Sequence, residues 1–426
     1  PYFDENVEIS QYPDIPNNEF TRDEILSMLA KEMLDAAEQL PASQPEVGRI
    51  HKYIALAYAA KIKLYQAYQQ DEITHAVTSI NKELLREVVS LCDQVTASNR
   101  YGLLDDFQGL DLVTNENGKE SVFAIQYSMN DGTESAGRIN WSNLLNSPGG
   151  GSPYGGDGFF LPSQDLINAY QTDANGLPDF NYQSKSDYSW AVLNNGVYTL
   201  QNTTPNVDPR LDFVVGRPTI TWKTYPDKPC EGWVRDKDTY GYNCAKRFWV
   251  SPESSDMFNG WPWGASQLNW QIIRYADILL WKAEALIELN EGNGLETARD
   301  LINQIRNRAR NSAYVKDFND HSKYAANYLV NPYPADVWNQ DYARQALRWE
   351  TRLEKALEGE RFFDLVRWGI VETTMNKYIT AESDNRIYYA NAHFTGGKDE
   401  YYPVPNNQYG FSGGKYVQNP GYAPFN

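Results

Sequence analysis

A chain of 426 residues with 41% hydrophobic and 22% charged residues is long and apolar enough to bury a large core in one or two domains. Its formal net charge of −18 argues against the basic surface that nucleic acid or anionic lipid would need, so we expect no nucleic-acid partner. Three cysteines are too few for a disulfide framework, and they lack the spacing of a thiolate zinc site.

The first third of the chain has the periodicity of amphipathic helices. Thr21 and Glu24 have the spacing of a capping box, which predicts a helix that starts after Thr21 and ends before Pro41. Apolar residues at helical spacing predict a second helix over 50–68 and a third over 81–97. Helix pairs of this length are typical of tetratricopeptide-like hairpins, although the sequence has no clean 34-residue period.

Residues 99–268 are rich in Gly, Asn, Pro and aromatic residues and have few helical periods. Residues 121–127 are the best strand candidate in this region. Eight of the 12 tryptophans lie between Trp141 and Trp270. Because binding residues usually lie on loops that a rigid scaffold holds, we expect a ligand site in this loop-rich region.

The helical pattern returns after the loop-rich region. Residues 269–286 are predicted to form an amphipathic helix, which the glycine-containing break at 290–294 ends, and a second helix is predicted over 295–310. Two helices joined by so short a turn are expected to pack antiparallel. Two further helices are predicted over 341–358 and 360–372, and the end of the chain, 373–426, is predicted to be irregular.

Helices flank the loop-rich region on both sides, so the sequence predicts one mainly α domain, 1–426, with a long, partly β insertion. Its segments are helical hairpins, the insertion, further hairpins and an irregular end: 1–98, 99–268, 269–372 and 373–426. No run approaches the ~20 apolar residues that span a bilayer, and no secretory signal opens the sequence. The abrupt start at Pro1 is compatible with a targeting segment removed by processing or truncation.

Catalytic and metal-binding motifs are not apparent. The sequence has no Walker phosphate-binding motif, no His-Glu-x-x-His pair and no EF-hand spacing, and its four histidines form no cluster. With 56 Asp and Glu residues, some carboxylate pair could always be proposed for glycoside hydrolysis, so their number carries little weight. We therefore expect no catalytic residues, no metal and no cofactor.

Trp261 and Trp263 are the strongest candidates for ligand contact. They flank a proline in a glycine-bounded loop, which holds two indole rings at little ordering cost, and such a ring can cover the apolar face of a sugar. The alternative is a hydrophobic plug that docks the loop onto the helices. Four other tryptophans of the region are weaker candidates, each more easily explained as structural: Trp141, Trp190, Trp222 and Trp233.

The glycine-rich stretch 149–158 is similar in composition to a phosphate-binding loop but lacks the lysine. We interpret it as a flexible surface loop whose Tyr154 and Asp157 could rim a sugar site. Cys230 and Cys244 lie in aromatic loop sequence, where a disulfide in an oxidising compartment and two separate thiols are equally compatible with the sequence.

Several other conspicuous residues are interpreted as structural. Cys92 falls beside an apolar helical stripe, which predicts a buried, inert thiol. The charged residues of 208–217 suit a buried bidentate ion pair, and those of 360–367 suit a helical scaffold. Three tryptophans at helical positions are predicted to pack in the core: Trp281, Trp349 and Trp368.

The chain resembles the SusD/RagB family of outer-membrane nutrient-binding lipoproteins, which are found in Bacteroidetes beside SusC-like TonB-dependent transporters. The resemblance covers nearly the whole sequence, and its specificity comes from many short segments in the family's order. These segments are 1–3, 35–41, 48–61, 101–103, 120–127, 208–212, 215–217, 273–285, 350–368, 402–405 and 418–422.

The resemblance implies a scaffold of tetratricopeptide-type hairpins and a non-enzymatic role at the extracellular face of the outer membrane. It implies capture of an oligosaccharide or polysaccharide and its delivery to a SusC-like TonB-dependent transporter. The alternatives are capture of peptides or another nutrient on the same scaffold, and a degradative enzyme or protein-only adaptor. Family members begin with a lipid-bearing cysteine and further helices, which the sequence does not contain, so membrane attachment is implied only through an N-terminal lipid anchor.

Overall fold

The structure is a computed structural model that describes residues 1–134, 137–141, 146, 148–149, 151–189, 191–194, 197–200, 205–225, 232–261 and 263–425. Helices dominate it, as predicted. The α-helices are α1 Arg22–Gln39, α2 Lys52–Ala67, α3 Lys82–Ala97, α4 Gln164–Ala169, α5 Arg210–Val214, α6 Lys237–Tyr240, α7 Tyr275–Leu289, α8 Gly294–Asn311, α9 Gln340–Glu354, α10 Arg361–Arg367, α11 Val371–Glu382 and α12 Asn406–Phe411.

The strands are short and pair only in twos. They are β1 Tyr68–Gln70, β2 Val77–Ile80, β3 Ser121–Ile125, β4 Gln171–Thr172, β5 Ala191–Asn194, β6 Val197–Leu200, β7 Asn206–Val207, β8 Val215–Gly216, β9 Cys244–Ala245 and β10 Trp270–Arg274. The antiparallel pairs in the described residues are β1 with β2, β3 with β10, β4 with β7, β5 with β6, and β8 with β9.

The long helices form one layer in which α1 packs on α2, α2 on α3, α3 on α7, and α7 on both α8 and α9. Ala59 and Ala60 of α2 are fully buried, and their small side chains let the neighbouring helices approach closely. Because α3 and α7 are adjacent in space, the loop-rich region is inserted between two neighbouring members of the layer. The structure thus confirms a mainly α scaffold with a partly β insertion, while the tetratricopeptide subtype stays a prediction.

Side-chain caps set the helix ends close to the predicted positions. The Thr21 hydroxyl accepts the Glu24 N–H at 3.3 Å, and the Glu24 carboxylate accepts the Thr21 N–H at 2.8 Å, which confirms the capping box. Asn81 caps α3 by accepting two backbone N–H groups. Helix α7 ends at Leu289, because the left-handed φ of 52° at Asn290 stops the helix two residues before the first glycine of the break.

The structure differs from the predicted elements at 373–382, which was predicted as irregular but belongs to helix α11, and at 269–274. This segment was predicted as the first turns of a helix, but Trp270–Arg274 is strand β10, which pairs with β3 in a register that places Trp270 opposite Ile125. The Arg274 N–H donates to Asp277 at 2.7 Å, so the helix begins only at Tyr275. The prediction failed here because helical periodicity continues through the segment, and a period cannot reveal a partner strand that is distant in the sequence.

The predictions for Cys92 and two of the three helical tryptophans hold. Cys92 is fully buried, and burial raises the pKa of its thiol to about 12, so the thiol is unreactive. Trp281 and Trp368 are buried in the core of the helical layer. Trp349 is only half-buried, and its indole N–H donates to the Ala169 carbonyl at 3.2 Å. No helix in the described part of the chain has the length and hydropathy to cross a bilayer.

Buried ion pairs tie the insertion to the helical layer. Arg210, on α5, makes the predicted bidentate pair with Asp208, with N–O distances of 3.0 and 2.7 Å. The same guanidinium donates to Glu350 at 2.6 Å and to Glu354 at 3.2 Å, both on α9. Arg217 makes a second bidentate pair, with Asp212. These contacts fix where the insertion sits on the scaffold.

Candidate functional site

Trp261 and Trp263 lie at the tip of a loop that we call the tryptophan hairpin, residues 257–266. Met257 and Ser266 form an antiparallel bridge at its base, and the Phe258 N–H donates to the Ala265 carbonyl at 2.8 Å. The glycines that flank the tip have positive φ, 135° at 260 and 73° at 264, which side-chain-bearing residues seldom adopt. The backbone therefore turns sharply on both sides of the two indoles.

Both indoles of the tryptophan hairpin face solvent. Trp261 is 63% exposed and Trp263 is 52% exposed. A plug that docked the loop onto the helices would bury these rings, because apolar surface gains free energy only when it leaves water. The exposure is instead what a stacking platform for a ligand requires.

The glycine-rich stretch lies against the tryptophan hairpin. Gly155 has a φ of 66°, and a Cβ at this position would lie 3.2 Å from the Cβ of Trp263. On the other side, a Cβ at Gly149 would lie 2.3 Å from the Trp233 carbonyl oxygen. Glycine is therefore required where the stretch passes between an indole and a neighbouring backbone. These contacts differ from the free surface loop that composition predicted.

An exposed ion pair follows Gly155, the residue of the glycine-rich stretch that lies against Trp263. Asp157, two residues after Gly155, pairs with Arg235 at 2.8 Å, and the Arg235 guanidinium also donates to the Gly156 carbonyl at 2.7 Å. The Asp157 side chain is 40% exposed and that of Arg235 is 58% exposed. An exposed pair contributes little to stability, about 0–1 kcal/mol, so both groups can form hydrogen bonds with a ligand.

Three of the predicted contact residues support the site from below. We call Tyr154, Trp222, Trp233 and Trp249 the aromatic cluster, and its side chains are buried. The Tyr154 hydroxyl donates to the Val250 carbonyl at 2.6 Å and accepts the Trp222 indole N–H at 2.8 Å. Tyr154, Trp222 and Trp233 thus have no face toward solvent, because they fill the space beneath the loops. In this arrangement they do not contact a ligand and can affect binding by holding the loops above them in place.

The remaining predicted tryptophans have separate positions. Trp141 is 47% exposed and follows Asn140, whose N–H donates to the Ser266 carbonyl at the base of the tryptophan hairpin. Trp190 lies outside the described residues, as does Cys230, so their predicted roles stay untested. Phe159, which follows the glycine-rich stretch, is 71% exposed but was not among the ligand-contact residues predicted from the sequence. Its position two residues after Asp157, a predicted contact residue, could have indicated it.

Residues 119–422 match the model of the SusD family, which is more than half of the chain. The chain belongs to the SusD family. A comparison with curated proteins found no match.

Solved structures of SusD proteins share this fold. A SusD superfamily protein from Bacteroides vulgatus aligns over 96% of this chain and 71% of its own, with 20% identity and a TM-score of 0.65. A laminarin-binding SusD-like protein aligns over 99% and 74%, with 19% identity and a TM-score of 0.54. Surface glycan-binding protein A from Bacteroides uniformis aligns over 94% and 69%, with 18% identity and a TM-score of 0.56. At these identities the likeness concerns the fold.

One carboxyl group at the base of the tryptophan hairpin of this SusD protein has a perturbed pKa. Glu116 accepts the Asn269 N–H at 2.6 Å. Burial raises the pKa of Glu116 to about 7, the Asn269 hydrogen bond opposes the rise, and the nearby Asp256 adds to it. The described residues contain no group of three or more His, Cys, Asp or Glu side chains arranged to hold a metal ion.

Glu116 should make the stability of the protein pH-dependent. Its pKa is raised from 4.5 to about 7, so between these values the folded state binds more protons and stability falls as pH rises. Glu116→Gln removes this titration. Thermal melts should show a gain of about 1 kcal/mol at pH 8, a value discounted for partial exposure, and little change at pH 5. The exposed Glu253→Gln is the control, and an equal effect of Glu116→Gln at both pH values would contradict the prediction.

Proposed function

We propose that this SusD family protein is a non-enzymatic glycan-binding protein that holds an oligosaccharide or polysaccharide at the tryptophan hairpin. The observation that carries the proposal is that the glycine-rich stretch lies against Trp263, more than half exposed, at Gly155 and carries the exposed pair of Asp157 and Arg235 two residues later. An indole can cover the apolar C–H face of a sugar ring, while a carboxylate and a guanidinium can bond to its hydroxyl groups. Trp261 and Trp141 provide further exposed rings along the same loops.

The relatives support a glycan over another nutrient. Two of the structures that share the fold are described as laminarin-binding and as surface glycan-binding. Binding at this site should cost little conformational entropy, because the glycine turns and the buried aromatic cluster hold the exposed rings in place before a ligand arrives.

Trp261→Ala and Trp263→Ala should each weaken glycan binding about tenfold, which corresponds to roughly 1 to 2 kcal/mol for one lost stacking surface. The melting temperature should stay nearly unchanged, because the lost rings are mostly exposed. Affinity electrophoresis or calorimetry against a polysaccharide panel measures the effect. Tyr402→Ala, which removes a 92% exposed ring from the C-terminal segment, is the matched control.

The same experiment separates the alternatives. A marked fall in melting temperature in either tryptophan variant would indicate a plug. Binding to a peptide pool and to no polysaccharide would replace the glycan with a peptide. Release of reducing ends from a bound polysaccharide would contradict the non-enzymatic role.

We also propose that the bound glycan passes to a SusC-like TonB-dependent transporter, and that a lipid anchor holds the protein at the extracellular face of the outer membrane. Membership of the SusD family supports both statements. Affinity purification from detergent-solubilised outer membranes is expected to recover a TonB-dependent transporter with the protein. Recovery of the protein alone, together with its resistance to protease added to intact cells, would contradict them.

A further inference from the structure

A second group of exposed aromatic rings lies where the insertion meets the segment that follows α11. Tyr240, the last residue of α6, is 43% exposed, and Tyr388 is 52% exposed. Their ring centroids are 6.2 Å apart, and the rings are inclined at 44° to each other. Ile387, beside them, is 77% exposed. We call Tyr240 and Tyr388 the tyrosine pair.

Packed side chains hold the tyrosine pair from below. The ring of Tyr389 lies 4.6 Å from that of Tyr388 and 5.5 Å from that of Tyr378, on α11, and the hydroxyl groups of Tyr378 and Tyr389 are 3.2 Å apart. Tyr388 is thus fixed against α11 while its own ring stays half in water. Single exposed apolar residues are common, but rings that meet at the surface from distant parts of a chain are typical of a binding site.

A largely buried arginine adjoins the tyrosine pair. Gly241 has a φ of 72°, and a Cβ at this position would lie 2.8 Å from two nitrogens of the Arg386 guanidinium. Glycine therefore lets the chain after Tyr240 close onto the arginine. One of the two nitrogens donates to the Asn385 carbonyl at 2.9 Å. A guanidinium has further N–H donors, so Arg386 can also donate to a hydroxyl group of a ligand.

Helix α6 connects the tyrosine pair to the surroundings of the tryptophan hairpin. Arg235, which pairs with Asp157 and donates to the Gly156 carbonyl, precedes α6 by two residues. The Asp236 carbonyl accepts the Tyr240 N–H at 2.8 Å, so the chain makes a single helical turn between them. Such a turn rises only about 5.4 Å. The exposed groups thus follow one another from the tryptophan hairpin, through the exposed ion pair, to the tyrosine pair.

The chemistry of this surface matches a glycan chain better than a protein. Exposed rings at its two ends are separated by the pair of Asp157 and Arg235. A polysaccharide repeats the same two features, because each sugar presents an apolar C–H face for stacking and hydroxyl groups for hydrogen bonds. A protein partner would instead favour aromatic anchors gathered in one desolvated centre.

We propose that the tyrosine pair is a second sugar-binding subsite and that the ligand is a glycan chain long enough to reach it from the tryptophan hairpin. The inference rests on the proposed function, because the tryptophan hairpin is the first subsite. The tyrosine pair supplies the stacking surface for one sugar unit, and Arg386 donates to one of its hydroxyl groups. A chain held at one subsite brings its next units to the other at high effective concentration, so affinity rises with chain length.

Calorimetry with oligosaccharides of increasing length tests the proposal. Size series from disaccharide to octasaccharide are prepared from laminarin, starch and xylan, and each series that the wild type binds is used. The wild type should bind the longest member more tightly than the shortest. Tyr388→Ala should weaken binding of the longest member about three- to tenfold and leave binding of the shortest unchanged. Trp263→Ala should weaken binding of both.

Three further variants distinguish a subsite from a purely structural contact. Tyr388→Phe keeps the ring and should keep the dependence on chain length. Tyr240→Ala removes the other ring of the subsite, so a loss of folding in Tyr388→Ala alone does not decide the result. Tyr402→Ala removes a 92% exposed ring elsewhere in the C-terminal segment and should bind every oligosaccharide as the wild type does.

The results separate this inference from the proposed function. An equal loss of affinity at every chain length in Tyr388→Ala and Tyr240→Ala, or no loss at any length, would overturn the second subsite. The tryptophan hairpin would keep its role in that case if Trp263→Ala still weakened binding. Unchanged affinity in Trp263→Ala would contradict the tryptophan hairpin as the site, and a wild type that bound none of the oligosaccharides would overturn both proposals.

Discussion

Glu354→Ala is expected to lower the free energy of unfolding by about 3 to 5 kcal/mol, because it removes a buried carboxylate that several cations share. The Glu354 side chain is fully buried on α9. It accepts hydrogen bonds from Arg274 at 3.0 Å, from Arg210 at 3.2 Å and from Arg308. After the substitution these guanidinium groups stay buried with fewer negative partners, and α9 keeps its Glu350 contact to Arg210 of α5 but loses the Glu354 contact.

Urea denaturation measures the effect of Glu354→Ala, with two comparison variants. Glu354→Gln keeps the shape and one neutral acceptor, so its loss should be smaller. Glu291→Ala breaks an exposed pair with Arg86 and should cost less than about 1 kcal/mol. A loss for Glu354→Ala no greater than that of Glu291→Ala would show that the buried network adds nothing to stability.

The lowered pKa of Glu354 provides a separate test, which is the stability of the protein in acid. Burial alone would raise the pKa of Glu354, but the charges of Arg308, Arg274 and Arg210 outweigh it and lower the pKa from 4.5 to about 2. The stabilisation is therefore complete above pH 4.5 and is lost as pH falls toward 2. Glu354→Gln should reduce the slope of stability against pH in this window and leave the slope above pH 5 unchanged.

Trp222→Ala is expected to cost about 3 to 5 kcal/mol and also to weaken glycan binding. Trp222 is fully buried, its ring centroid lies 4.9 Å from that of Trp233, and its indole N–H bonds to Tyr154. The substitution leaves a cavity beneath the glycine-rich stretch and removes the indole N–H that donates to the Tyr154 hydroxyl. The stretch that contacts Trp263 would then lose its support.

Stability and binding should be measured on the same Trp222 variants. Trp222→Phe keeps most of the volume but loses the N–H donor, so it should fall between the wild type and Trp222→Ala in unfolding free energy. Trp261→Ala offers the opposite pattern, with weaker binding at nearly normal stability. If Trp222→Ala and Trp261→Ala behaved alike in both measurements, the assigned division between a buried support and an exposed platform would be wrong.

Local signals predicted the helices well. The capping box at Thr21 and the periodicity of α2 and α3 each act within a few residues of the chain, and the structure reproduces them. The strand over 121–125 was found for the same reason. The segment 270–274 was not, because its strand conformation depends on pairing with β3, which lies far away in the sequence.

The candidate site was also predicted only in part from the sequence. The sequence ranked Trp261 above Trp222 because of its neighbouring proline and glycines, but it did not determine that Trp222 is fully buried and Trp261 is 63% exposed. Both are aromatic residues in loops that contain turn-forming residues. Burial is a property of what packs against a side chain, and for Trp222 those neighbours are Tyr154 and Trp233, which lie in other parts of the insertion.

The sequence by itself determined a mainly α scaffold with a loop-rich insertion and the resemblance to the SusD family, because periodicity, caps and ordered motifs are written in consecutive residues. Only the tertiary structure decided which aromatic rings reach solvent, that the glycine-rich stretch lies against Trp263, that Asp157 pairs with Arg235, and that Tyr240 and Tyr388 meet at the surface. These features depend on contacts between residues far apart in the chain, whose free energy no single segment encodes.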